Sequence, residues 1–163
     1  MGKKTLVVIP TKCNGCGDCK VACAVKHTGL SDAARSRIRI MTHGAHKTFF
    51  MPSSCQQCED PPCMAACPDE AIYRDEKLNR VAIDYSRCVG CQMCVSACPF
   101  GAMSFNEDTG HPFKCDLCGG DPECVRVCDV KAIDYVDFEQ LHYPQLEKSA
   151  IKLCYGAVRR KAA

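Results

Sequence analysis

The chain has 163 residues, a length that fits one domain or a tightly fused pair of small domains. Its formal net charge is +2, from 21 basic and 19 acidic side chains, so the composition does not favour a nucleic-acid partner. Apolar residues make up 47% of the chain, but this share includes 17 cysteines. Few apolar side chains are therefore left to form a hydrophobic core, and we expect interactions other than apolar packing to supply part of the stability of the fold.

The amino-terminal run M-G-K-K-T-L-V-V-I-P begins with positive charge, but its apolar part is too short for a signal peptide. No later stretch approaches the roughly 18 apolar residues of a membrane-spanning helix. We therefore expect a cytoplasmic protein without a direct membrane span. In that reducing compartment, many cysteines indicate metal ligands rather than disulfides.

Sixteen cysteines fall into four groups of four. The third group, C-V-G-C-Q-M-C-V-S-A-C-P, has the spacing in which three thiolates bind one iron-sulfur cluster and the fourth binds a neighbouring cluster. The second and fourth groups have a wider gap before their third cysteine. We expect all sixteen to be 4Fe-4S ligands: Cys13, Cys16, Cys19 and Cys23; Cys55, Cys58, Cys63 and Cys67; Cys88, Cys91, Cys94 and Cys98; Cys115, Cys118, Cys124 and Cys128.

The terminal prolines and the strand pattern indicate which groups are partners. The second and third groups end in Cys-Pro, whereas the first and fourth do not, and strands over residues 6–9 and 133–136 could join the two ends of the chain. This predicts a nested arrangement of four clusters, with sequential pairing as the alternative. The nested ligand sets are Cys13, Cys16, Cys19 and Cys128; Cys115, Cys118, Cys124 and Cys23; Cys55, Cys58, Cys63 and Cys98; Cys88, Cys91, Cys94 and Cys67.

An internal repeat follows the last three groups, with Ala71, Ala102 and Ala132 in register at the start of short strands. Turn signals predict hairpins over residues 71–83 and 103–114. We expect each fourth cysteine to lie at the start of a short helix. The predicted fold is α+β, with two nested, pseudo-symmetric ferredoxin-like modules in a core of residues 1–136. Residues 1–34 and 108–136 form the outer module, and residues 52–107 form the inner module.

Residues 35–51 are predicted to form a β-hairpin insertion, in which arginines alternate with isoleucines. This arginine edge could dock a partner or neutralise a cluster, but a solvated strand face is the preferred interpretation. Two turn histidines are interpreted as exposed rather than metal-binding, because no third ligand is near. The arginines are Arg35, Arg37 and Arg39, and the histidines are His43 and His46.

Residues 137–163 contain no predicted cluster ligand. Ile151, Cys154 and Val158 are spaced as one apolar stripe of a helix. Cys154 is therefore interpreted as a small buried or interfacial thiol. The tail is a candidate for contact with another subunit.

The cysteine runs C-Q-Q-C-E-D-P-P-C-M-A-A-C-P, C-V-G-C-Q-M-C-V-S-A-C-P and K-C-D-L-C resemble those of a known family over residues 5–136. They are similar to the four-cluster ferredoxin-type electron-transfer subunits of dimethyl sulfoxide reductase, formate hydrogenlyase, carbon monoxide dehydrogenase and tungsten aldehyde oxidoreductase complexes. The resemblance implies nested pairing of four 4Fe-4S clusters. It also implies a hetero-oligomer with a catalytic oxidoreductase subunit, such as a tungsten or molybdenum cofactor enzyme, and a second redox subunit or carrier. The compact length is more similar to subunits of soluble tungsten aldehyde or benzoyl-coenzyme A type oxidoreductases.

The expected function is the relay of single electrons, with no catalytic site of the chain's own. The sequence contains no dinucleotide fingerprint or phosphate loop, and a cluster with four thiolate ligands leaves no open iron for substrate. One alternative is a free polyferredoxin, and another is a subunit of a hydrogenase, formate or carbon monoxide dehydrogenase complex. A zinc-binding scaffold is a remote alternative, because structural zinc sites use separated C-x2-C pairs rather than three ligands in one loop.

Overall fold

A computed structural model describes residues 3–43 and 49–137. Over these ranges the chain forms eight short strands and four α-helices, and each strand pairs with one other strand in an antiparallel sheet. The strands are β1 (Lys4–Val8), β2 (Arg39–His43), β3 (Phe49–Ser53), β4 (Ile72–Asp75), β5 (Arg80–Ile83), β6 (Met103–Asn106), β7 (His111–Lys114) and β8 (Ile133–Asp137). The helices are α1 (Asp18–Thr28), α2 (Pro62–Ala65), α3 (Met93–Ala97) and α4 (Glu123–Arg126).

Strands β1 and β8 join the two ends of the described chain. Val8 pairs with Ile133, and the register continues to Lys4 opposite Asp137. The alternating apolar side chains of these segments place Leu6 against a core that contains Ile133. The predicted pairing of these two segments is confirmed. It brings the first and fourth cysteine groups to the same part of the molecule.

The two predicted hairpins are also confirmed, as β4–β5 and β6–β7. Each hairpin begins shortly after the fourth cysteine of a group, Cys67 or Cys98, and β8 follows Cys128 in the same way. The residue before each repeat alanine has a left-handed backbone, with φ of 48° at Glu70, 57° at Gly101 and 51° at Lys131. The chain therefore turns sharply before it enters the strand.

The predicted hairpin insertion is present as β2–β3, and its strands span residues 39–53 rather than 35–51. The first strand starts later because residues Ala33–Arg35 form a 3-10 turn. The carboxylate of Asp32 accepts a hydrogen bond from the amide of Ala34 and caps this turn.

The predicted solvated arginine face holds for Arg39, which is exposed, but not for Arg37, although all three arginines contact other parts of the chain. Arg35 forms an ion pair with Asp108, and the side chain of Arg39 donates to the hydroxyl of Ser104 at 2.6 Å. Arg37 is 15% exposed and forms an ion pair with Asp116. Arg37 thus attaches this segment to the fourth cysteine group, whereas Arg35 and Arg39 attach it to the β6–β7 hairpin.

The placement of the fourth cysteines needs a correction. Each third cysteine lies inside a helix, and in three of the groups the fourth lies at or just beyond its end; Cys98, for example, caps the end of α3. In the first group, α1 continues to Thr28, so Cys23 lies within the helix. Residues four apart in a helical turn lie on one face, and this turn presents the third and fourth cysteines together.

Two clusters of buried side chains form the core of the described residues. One contains Cys19, Cys23, Ile38, Cys124 and Ile133. The other contains Ile72, Val81, Cys94 and Met103. Cysteines are thus three of the five buried residues in the first cluster and one of the four in the second.

No helix in residues 3–43 or 49–137 has the length and apolar character needed to cross a bilayer. The predicted helix with Ile151, Cys154 and Val158 lies outside the described residues, as does His46.

Candidate metal centres

Two small cavities bring together cysteines from the second and third groups. One is lined by Cys55, Cys58, Cys63 and Cys98. The other is lined by the remaining four cysteines of these groups: Cys67, Cys88, Cys91 and Cys94. Each cavity therefore holds three cysteines of one group and the fourth cysteine of the other.

The first and fourth groups meet in the same way between α1 and α4. Burial raises the pKa of Cys19 to about 11, and the nearby thiols that add to this effect are Cys16, Cys13 and Cys128. Burial also raises the pKa of Cys124, and its neighbours are Cys115, Cys118, Cys23 and Cys19. Cys19, Cys23 and Cys124 share one buried core, with Cys128 packed against it.

These buried thiols favour the protonated form. Burial raises the pKa of Cys115 to about 12 and that of Cys94 to about 11, because a thiolate loses solvation there. A thiolate binds metal, so a cation must replace the proton at each of these positions. All sixteen cysteines in the described residues are free thiols. The donor set therefore fits a polynuclear iron site better than a disulfide framework.

Backbone amides donate to the sulfur of every fourth cysteine. The amides of Ala71, Ala102 and Ala132 donate to the cysteine four residues earlier, at N–Sγ distances of 3.3, 3.4 and 3.2 Å. In the first group the amide of Arg37 donates to Cys23 at 3.3 Å. Donors aimed at sulfur stabilise an anionic ligand. The register of the alanine repeat therefore has a role at the metal sites.

The loops of all four groups share one backbone feature. The residue two positions after the first cysteine has a left-handed φ, which is 77° at Gly15, 52° at Gln57, 73° at Gly90 and 57° at Leu117. This conformation curls the loop so that successive cysteines can point the same way. Gln57 adopts this left-handed conformation without the freedom of glycine. Its side-chain nitrogen donates to the carbonyl of Cys115, and its side-chain oxygen accepts from the amide of Val81.

Two sets of charged side chains beside the cysteines are not evident from the motifs. The first surrounds Cys118, where Nε2 of His27 lies 3.6 Å from Sγ and 3.5 Å from Oδ1 of Asp116. Burial opposes ionisation of Asp116, but Arg37 and His27 hold the pKa of this carboxyl below its usual range. Burial and Arg37 lower the pKa of His27. Because Cys118 belongs to the fourth cysteine group, His27 and Asp116 form part of the environment of that group and not a separate metal-binding site.

The second is Lys114, the last residue of β7, which is 3% exposed. The alternation along this strand is the signal that could have indicated it, because Pro112 and Lys114 share the buried face. A lysine on the inward face of a strand beside a cysteine loop is unusual enough to mark a site.

Comparison with known proteins agrees with these sites. A family model described as a 4Fe-4S dicluster domain matches residues 46–138. The thiosulfate reductase electron transfer subunit PhsB of Salmonella typhi is 39% identical over 136 residues, which cover 76% of this chain and 70% of that protein. The NADH-dependent phenylglyoxylate dehydrogenase subunit beta of Aromatoleum evansii is 39% identical over 153 residues. That match covers 87% of this chain but 34% of the relative, so the chain spans about a third of that protein's length.

Among solved structures, the active site complex BamBC of benzoyl coenzyme A reductase in complex with benzoyl-CoA aligns with a TM-score of 0.48. The identity is 26%, and the alignment covers 82% of this chain and 78% of that one.

Proposed function

Because the chain belongs to the 4Fe-4S dicluster domain family, we propose that it is an iron-sulfur electron-transfer subunit of an oxidoreductase complex. It relays single electrons through four 4Fe-4S clusters. The observation that carries this proposal is the gathering of sixteen free cysteines into four sets of four. The clusters supply the one-electron chemistry when bound. The chain's own residues supply the ligands, the amide donors and the surrounding charge.

Each cluster takes three ligands from one cysteine group and the fourth from its nested partner. The two cavities support the inner assignments, and the neighbours of Cys19 and Cys124 support the outer ones. The chain thus contains an inner and an outer module of related geometry. The proposed ligand sets are Cys88, Cys91, Cys94 and Cys67; Cys55, Cys58, Cys63 and Cys98; Cys115, Cys118, Cys124 and Cys23; Cys13, Cys16, Cys19 and Cys128.

These four sets follow one another in a row in that order. Cys63 is among the groups that raise the pKa of Cys94, and Cys55 is among those that raise the pKa of Cys115. Cys19 has the same effect on Cys124, which connects the last two sets. The two exposed cysteines, Cys91 and Cys16, belong to the first and last sets. The proposed electron path therefore reaches the surface at both ends, where redox partners can approach.

The partner at one end is a catalytic oxidoreductase subunit. Relatives named as subunits of a dehydrogenase and a reductase support this assignment. The proposed catalytic subunit is a tungsten or molybdenum enzyme of the aldehyde oxidoreductase or benzoyl-CoA type, and a second redox subunit or carrier contacts the other end. The complex is a cytoplasmic hetero-oligomer. Anaerobic native purification with mass spectrometry tests it, because a chain that elutes as a free monomer would instead be an autonomous polyferredoxin.

Serine substitutions test the nested ligand sets. In the nested arrangement, Cys98→Ser and Cys55→Ser alter the same cluster, so EPR-monitored redox titration shows the same signal changed in both. The double variant then changes no further cluster, because the two residues act on one site. Cys154→Ser is the matched control and leaves all four clusters in place.

Sequential pairing gives a different result. In that arrangement Cys98 serves the fourth group, and Cys98→Ser changes the same signal as Cys115→Ser. Metal and sulfide analysis tests the cofactor itself. A colourless protein that contains zinc and no acid-labile sulfide would exclude the electron-transfer proposal and favour the zinc scaffold.

A further inference from the structure

Lys114 is the only charged residue among the buried residues of the described chain. Its ammonium group donates to two backbone carbonyls, those of Val81 and Cys115, the second at 3.0 Å. Its Nζ also lies 3.5 Å from the sulfur of Cys55. The side chain lines the cavity formed by Cys55, Cys58, Cys63 and Cys98.

No carboxylate of the described residues forms an ion pair with this ammonium group. Within residues 3–43 and 49–137, the ion pairs with nitrogen and oxygen within 4.0 Å do not include Lys114. Burial of an ammonium group with only neutral partners is costly, whereas burial against an opposite charge is much less so. A 4Fe-4S cluster together with its four thiolate ligands provides that opposite charge, roughly two net negative charges when it is oxidised.

We propose that Lys114 is a positioning residue that holds a positive charge against Cys55 and raises the reduction potential of the cluster in its set. This cluster is then the first of the four to be reduced. The inference rests on the proposed function, because it requires the cluster to be present. Reduction adds one electron and transfers no proton, and the ammonium group stabilises the more negative reduced form over the oxidised one.

The cations at the other sets have less effect on potential. Arg37 lies near the set that contains Cys118, but the carboxylate of Asp116 is 2.8 Å from its guanidinium and offsets its charge. Lys131 follows Cys128 in sequence and is exposed, so solvent screens it. Within the described part of the chain, only the set with Cys55 has a buried cation in contact with a ligand sulfur and without a carboxylate partner.

Substitution of Lys114 tests the inference with a matched control. Lys114→Gln removes the charge but keeps an amide that can donate to the carbonyls, and Lys77→Gln removes an exposed lysine. We expect Lys114→Gln to lower the potential of one cluster, by a change on the order of tenfold in its reduction equilibrium, or ~59 mV for one electron. EPR-monitored titration should show the other three unchanged, and Lys77→Gln should match the parent.

Four clusters at parental potentials in Lys114→Gln would overturn the inference and leave the proposed function intact. Absence of clusters from the parent protein would overturn both.

A second measurement uses the unaltered protein, so it does not depend on the folding of a variant. The protein is labelled with 15N-lysine and reduced with dithionite until one cluster carries an electron. Pulsed EPR should then detect a lysine nitrogen coupled to that cluster. If the cluster that is reduced first shows no lysine coupling, Lys114 does not set the order of reduction and the inference fails.

Discussion

Arg37 binds the first cysteine group with its backbone and the fourth group with its side chain. Its amide donates to Sγ of Cys23 at 3.3 Å, and its guanidinium Nη1 lies 2.8 Å from Oδ2 of Asp116. This single residue therefore links the segment before β2 to the first and fourth cysteine groups. The segment between the first two cysteine groups is thus part of the support for these two groups.

Replacement of Arg37 by methionine should weaken the proposed cluster site of Cys115, Cys118, Cys124 and Cys23. The change keeps the backbone donor to Cys23 but leaves the carboxylate of Asp116 partly buried without its strongest partner, at a cost of about 1–3 kcal/mol. We expect faster loss of cluster absorbance in anaerobic denaturant, about tenfold at pH 7. Arg87→Met, which removes an exposed pair with Glu70, is the control and should behave like the parent.

The same variant should show a defined pH dependence. The pKa of Asp116 is held below its usual range, so its contribution to stability is present above the pKa of an unfolded aspartate and is lost as pH falls through the folded value. The difference between Arg37→Met and the parent should therefore shrink as pH falls below about 4. A difference that does not shrink as pH falls from about 4 to about 2 would show that the ion pair is not its cause.

Gly90 lies in the loop of the third cysteine group, where the β6–β7 turn approaches the backbone closely. Its φ is 73°, and a Cβ at this position would collide with the carbonyl oxygen of Gly110. Gly119 has a φ of 71°, but a Cβ there meets no atom within 4 Å. Alanine at either position adds the left-handed strain of roughly 1–2 kcal/mol. Only Gly90→Ala also displaces a backbone segment.

We therefore expect Gly90→Ala to lose iron from one cluster during anaerobic purification, while Gly119→Ala retains the parental iron and sulfide content. The measurement is iron per protein, with EPR to identify the affected cluster. Equal iron loss in the two variants would mean that backbone strain alone controls occupancy. The close approach of Gly110 would then have no role.

Local patterns in the sequence were sufficient for the strands and the cysteine groups. Apolar alternation and turn residues predicted β4–β5, β6–β7 and the pairing of β1 with β8, because these signals depend on neighbours within each segment. The position of the helices relative to the fourth cysteines was not predicted correctly. Helices α2, α3 and α4 are only about one turn long, and a single turn has no periodic pattern that fixes its ends.

The charged surroundings of the sites could not be read from the motifs. The pair of Arg37 with Asp116 and the contact of Lys114 with Cys55 join residues far apart in sequence, and the tertiary fold alone brings them together. An arginine that alternates with isoleucines is typical of a solvated strand face, which is why that interpretation was preferred. The partial burial of Arg37 depends on the carboxylate of Asp116, which lies far outside any local window around Arg37.

Iron removal should unfold the tertiary structure of the described core. Three of the five buried residues in one core cluster are cysteines, Cys19, Cys23 and Cys124, and the other cluster includes Cys94. Without metal, the remaining apolar contacts are too few to offset the conformational entropy of the ordered chain. Anaerobic chelation followed by amide hydrogen exchange should show loss of protection in β1 and β8 and in β6 and β7. Addition of iron and sulfide should restore protection, which separates metal loss from oxidative damage, and a cooperative thermal transition in the iron-free chain would contradict a metal-dependent core.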